Sequence, residues 1–147
     1  MDGRFPRGVD RALRKSGWIP GRTVDASLWR ECIRGIEMHV PAERFLTEFG
    51  GLSVNIHGLG RSAAKAPFEL DPGLCEGEEE RFRDWSNTLG RVIYPLGELD
   101  HGRFFLGMDE LGEIFLVADW LASFGSGDAG LIALCQGVMP TEMHGAP

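Results

Sequence analysis

Residues 40–57, VPAERFLTEFGGLSVNIH, change their hydrophobic period halfway along, from helix-like to strand-like, with a pair of glycines between. Ala42, Phe45, Leu46 and Phe49 recur at three- and four-residue steps, and Pro41 stands where the first turn of a helix tolerates it. Beyond the Gly50-Gly51 pair, Leu52, Val54 and Ile56 alternate with Ser53, Asn55 and His57, the period of a strand with one buried and one polar face. The pattern predicts a helix that Gly50 ends in the left-handed conformation, turned straight into a strand. Such a corner belongs to a fold in which helices pack against a sheet.

The remaining segments supply both partners. PRGVDRALRKSG predicts a short basic amphipathic helix, with Val9 and Leu13 inward and Gly17 beyond its end. DASLWRECIRGIE predicts a second helix, capped by Asp25, with Leu28, Trp29, Cys32, Ile33 and Ile36 on one face. After the Gly- and Ala-rich loop HGLGRSAAKAP, FELD reads as a short strand. GEEERFRDWSNTLG reads as a helix with acids in its first turn, an inner face of Phe82, Trp85 and Leu89, and Gly90 as its stop. RVIYPLGEL, RFFLGMD and EIFLVAD are strand-like runs, the last two joined by the hairpin DELGE with Gly112 in its turn. Ile114 to Val117 leave no polar position, so that strand is expected to be covered on both faces. Ser126 or Asp128 caps a last helix through AGLIALCQG, and residues 139–147 read as a frayed tail. Helices first and last with a mainly antiparallel sheet between them make an α+β class, and 147 residues suit a single domain, residues 1–147.

Chemistry is sparse in the pattern. GLGRSA has the glycine spacing of a dinucleotide-binding turn, but Pro67 and the strand-like FEL arrive too soon for the helix such a turn opens. It reads instead as a flexible loop carrying Arg61 and Lys65. His39, His57, His101 and His144 lack metal-ligand spacing, so no metal and no cofactor is expected. Cys32, Cys75 and Cys135 are odd in number and widely spaced, which fits reduced thiols. No serine sits in a nucleophile elbow, so an enzyme is disfavoured and no catalytic residue is assigned. The one alternative of that kind is a small site assembled from Asp100, His101 and Asp109. No apolar run reaches the roughly 20 residues of a membrane span and the first residues hold no signal sequence, so a cytoplasmic protein is expected.

Charge is distributed unevenly along the chain. Residues 1–40 hold eight Lys/Arg against five Asp/Glu, and residues 69–119 hold thirteen Asp/Glu against four Lys/Arg. An acidic middle argues against direct nucleic-acid binding and favours a basic partner; its bland alternative is solubility. The candidates for partner contact are Asp71, Glu98, Asp100, Asp109, Glu110 and Asp119, with Asn55 and His57 at the polar alternate positions of the strand after the corner.

LRKSGWIPGRTVDASLWRE, VPAERFLTEFGGLSV, FELDP, YPLGEL, MDELGEIFLVAD and LIALCQGV, in that order, resemble the SUKH superfamily, the Smi/Knr-like fold, and within it the third branch of its bacterial immunity proteins. The resemblance covers nearly the whole chain. It implies a binding module that protects a toxin-producing cell by occupying a cognate toxin, often a nuclease or nucleic-acid deaminase, within a polymorphic toxin system. A regulatory or scaffolding adaptor of the same fold is the alternative within the superfamily. Scaffold roles are implied for Trp18, Gly21, Arg22, Gly50, Gly51 and Gly112, with Arg22 expected to pair with a carboxylate.

Overall fold

Alternation along RFFLGM places Phe105 and Gly107 on one side of a strand and Leu106 and Met108 on the other, and each side has found its own helix. The computed structural model describes residues 3–144. Its elements in chain order are α1 (Arg7–Lys15), α2 (Ser27–Cys32), α3 (Val40–Phe49), β1 (Ser53–Val54), β2 (Phe68–Glu69), a 3-10 turn (Pro72–Cys75), α4 (Glu79–Leu89), β3 (Tyr94–Leu99), β4 (Phe104–Met108), β5 (Glu113–Val117), β6 (Leu121–Ser126), α5 (Gly127–Gln136) and β7 (Thr141–His144). The strands form one seven-stranded antiparallel sheet in sequence order, so the α+β expectation is met. Phe82 of α4 packs on Phe105, ring centroids 6.1 Å apart. On the other face α5 approaches so closely that a Cβ on Gly130 would stand 3.1 Å from Ile114 Cδ1, and Ile114 is the register partner of Met108. Sandwiched between, Ile114, Phe115, Leu116 and Val117 are all buried. No helix among the described residues is long and apolar enough to cross a membrane.

The corner forms, by a different division of labour between its glycines. Gly50 has φ −60° and ψ 142°, and it is Gly51 that takes the positive φ of 86°. Gly50 is needed for space instead: a Cβ there would lie 2.4 Å from Trp29 Cη2 and 2.5 Å from the Leu46 carbonyl oxygen. Arg22 closes the helix end, donating from Nη1 to the Glu48 carbonyl at 2.7 Å and from Nη2 to the Gly50 carbonyl at 2.9 Å. Its partners are therefore orphan helix carbonyls and not the expected carboxylate; the guanidinium fork spans two acceptors that α3 leaves unpaired. Trp18, fully buried, donates its indole N–H to Glu48 Oε2 and stacks on Phe49 at 6.2 Å. Gly21 lies in the exposed turn between them, and Gly112 closes the β4–β5 hairpin through its N–H to the Asp109 carbonyl. Glu48 also takes the guanidinium of Arg4, which bridges to Asp128 on α5 and ties three elements together.

Elsewhere the elements depart from the sequence pattern. The second helix is one and a half turns long, because Ile33 turns extended and Gly35 follows with positive φ; Leu28 is exposed, while Ile33 and Ile36 are buried from outside the helix. Ala26 holds the cap position, and Asp25 accepts from the Ser27 N–H, bonds that hold its carboxyl below the usual range. Residues 121–126 form a strand where none was expected. The expected frayed tail contains β7, which pairs with β6, and residues 145–147 lie outside the described residues. Nor is the glycine loop free: Arg61 N–H donates to the Gln136 carbonyl, and Ser62 and Ala63 N–H both donate to the Gly137 carbonyl. The amides that would cradle a phosphate in a dinucleotide-binding turn are consumed in capping α5.

Candidate functional site

Edge strands of a sheet set side chains in rows, and one row here breaks a rule of sheet composition. Ser53 pairs with Glu69, Glu69 with Glu98, and Glu98 with Phe105, so the four lie side by side on the face that α4 covers. Helix α4 reaches the Phe105 end of the row and leaves the carboxylates bare: Glu69 is exposed and Glu98 half-buried. Like charges directly opposite across strands repel, and neither carboxylate has an ion-pair or hydrogen-bond partner among the described residues. Glu98 is held above the usual carboxylate range by partial desolvation, then by the charges of Glu69 and Asp71.

The strands approach closely here because Gly97 lacks a side chain; a Cβ would stand 1.8 Å from the Glu69 carbonyl oxygen. Asp71 stands beside the row with Oδ1 engaged, accepting from the Gly73 N–H at 2.9 Å and the Trp29 indole at 3.1 Å. Behind these groups Cys75 is buried; desolvation raises its thiol well above the usual range, and the charges of Glu98, Asp71 and Glu78 add to the effect. Further acids lie at the start of α4. There Glu78, Glu80, Asp84 and Asp119 line a second cleft of about 520 Å³, with Arg81 paired to both Glu78 and Asp119.

The β3–β4 turn supplies the rim. His101 and Gly102 both have positive φ, 57° and 83°, and the Arg103 N–H returns to the Asp100 carbonyl, a turn whose twist matches a hairpin. Asp100 itself is at φ 56° and pairs with Arg103 at 3.3 Å. His101 and Gly102 stand with Ser53, Asn55, Glu69 and Glu98 around a small cleft of about 210 Å³. His57 is exposed and lies outside the residues lining that cleft.

The eight residues singled out from sequence do not form one surface. Asn55 and Glu98 meet at the cleft with Asp71 near Glu98, whereas Asp100 lines a separate apolar pocket with Phe104, Leu116 and Trp120. Glu110 sits at the opposite end of the meander, where its Oε1 accepts the Val92 N–H at 2.7 Å. Asp109 is fully buried and is corrected from partner contact to fold determinant: Oδ1 accepts the Leu111 and Glu113 N–H groups, both at 2.9 Å, and Arg91 Nη1 lies 3.1 Å from Oδ2. The possible enzyme site dissolves for the same reason. His101 precedes β4 and Asp109 follows it, so the length of a strand rising about 3.3 Å per residue separates them.

Ser53 and Glu69 belong to the site and were not singled out. Glu69 carried a legible signal, a lone acid between the core residues Phe68 and Leu70; its registration against Glu98 did not, because α4 intervenes between the two strands.

A family model described as "SUKH-3 immunity protein" matches residues 5–137. No curated protein and no solved structure matches the chain.

Proposed function

The chain belongs to the SUKH-3 immunity protein family, and on that premise we propose that it neutralises a cognate toxin by binding it stoichiometrically through the acidic face of β2, β3 and the start of α4. One observation carries the choice of face: Glu69 and Glu98 oppose each other in register, and neither has an ion-pair partner among the described residues. That arrangement costs the free protein stability, and a Lys or Arg from a partner offsets it. The partner is accordingly a basic protein, and a nuclease or nucleic-acid deaminase with a cationic groove fits, since the carboxylates take the place its phosphate substrate would occupy. The protein acts in the cytoplasm of the producing cell, needs no cofactor and performs no catalysis.

The test is a titration of the purified protein against the toxin encoded beside it. Inhibition that saturates near an equimolar ratio, and is weakened when Glu69→Gln and Glu98→Gln are combined, is the expected result. Turnover of substrate by this chain alone, or inhibition at far below equimolar ratio, contradicts it.

A further inference from the structure

Across β1 from the acidic cleft the sign of the surface reverses. Arg11 and Lys15 of α1 face Arg61 and Lys65 of the glycine loop across a groove of about 770 Å³, and among the described residues no carboxylate lines it. Arg61 donates to the side chain of Gln136 at 3.2 Å, while Arg11, Lys15 and Lys65 have no ion-pair partner among the described residues. Ser53 and Asn55 line this groove as well as the acidic cleft, so β1 is the ridge between the two. That strand is the edge of the sheet, paired with β2 alone.

Resting on the toxin-binding reading above, we infer that the groove receives an acidic segment of the same partner in extended form, pairing its backbone with the free edge of β1 while its carboxylates meet Arg11, Lys15, Arg61 and Lys65. Strand addition supplies main-chain hydrogen bonds without sequence preference, and the cations supply selectivity. A second copy of this chain fits poorly, because two-fold pairing of β1 with itself sets the same cations against each other. Single-stranded nucleic acid fits poorly too: among the described residues no aromatic side chain lines the groove for a base to stack on. The partner footprint is then two-signed, an acidic strand flanked by basic surface, which rejects proteins carrying only one of the two.

The probe is a labelled hexaglutamate peptide titrated against the whole chain. Binding that drops tenfold or more in the Arg11→Gln/Lys15→Gln variant, drops again when alternate peptide amides are N-methylated, and slows amide exchange at residues 53–57 is the expected result. Both substitutions are at exposed helix positions, and unchanged melting of the variant verifies its fold. Equal affinity of wild type and variant, indifference to N-methylation, or equally tight binding of an oligothymidylate or of inorganic phosphate overturns it. With the neighbouring toxin the two readings separate: no complex with the wild type removes the toxin-binding reading, whereas equal affinity for wild type and the groove variant removes the groove alone.

Discussion

At the end of the meander where β4 turns into β5, a carboxylate is buried with one oxygen held by two backbone N–H groups and the other against Arg91; at the end where β2 and β3 meet, carboxylates face each other with no ion-pair partner among the described residues. Asp109 holds two backbone N–H groups and stands against Arg91, which organises the hairpin from within. Glu69 and Glu98 do nothing for the fold that neutral side chains would not do better. Acids satisfied internally specify structure, and acids left unsatisfied at a half-dry surface leave free energy for a partner to recover. Net charge by itself distinguishes neither case.

The comparison breaks most visibly at Asp109. Asp109→Ala is expected to cost about 3–5 kcal/mol, since it strips two backbone donors of their acceptor and leaves Arg91 only the longer contact with Glu113, at 3.9 Å. Denaturant unfolding measures the loss, and a change below about 1 kcal/mol would remove Asp109 from the scaffold. Gly50→Val comes next, at about 2–3 kcal/mol, because its side chain collides with the Trp29 ring and with backbone that does not yield. Arg22→Ala follows at about 1–2 kcal/mol, the cost of reopening two α3 carbonyls. None of the three is expected to alter toxin association per folded molecule.

Glu98→Gln sharpens the comparison from the other side, with the smallest effect and the opposite sign. It is expected to stabilise the protein at neutral pH by about 0.2–0.5 kcal/mol. Because the folded-state value of Glu98 is raised, the folded protein holds that proton more tightly than the unfolded chain. Stability from this group is therefore greatest below the ordinary glutamate range and is lost as pH rises through the raised value. Melting curves between pH 4 and pH 7, flatter in Glu98→Gln than in the wild type, check the sign; a steeper slope in the variant contradicts it.

Much of the scaffold was legible because its causes are local. The period switch after Phe49, the Gly90 stop and the apolar run Ile114–Val117 each show in a few consecutive residues. Gly50 and Gly51 exchanged roles because the deciding neighbour, Trp29, comes from another helix. Strands β6 and β7 carry little local signal, since LASFGS and TEMH alternate weakly and are held by long-range pairing, β6 with β5 and β7 with β6. At the site, acid content was visible but placement was not: Asp109 and Glu98 look alike in sequence, and only burial and register separate them. The basic groove joins segments some 50 residues apart, beyond any local pattern.

Stopped-flow association of the protein with its neighbouring toxin, over a range of ionic strength, tests the central claim most directly. An acidic face that steers a basic partner predicts that the wild-type association rate falls about tenfold from low to physiological salt, and that Glu69→Gln/Glu98→Gln lowers both the rate and its salt slope. Unchanged rate and slope in that double variant would contradict it.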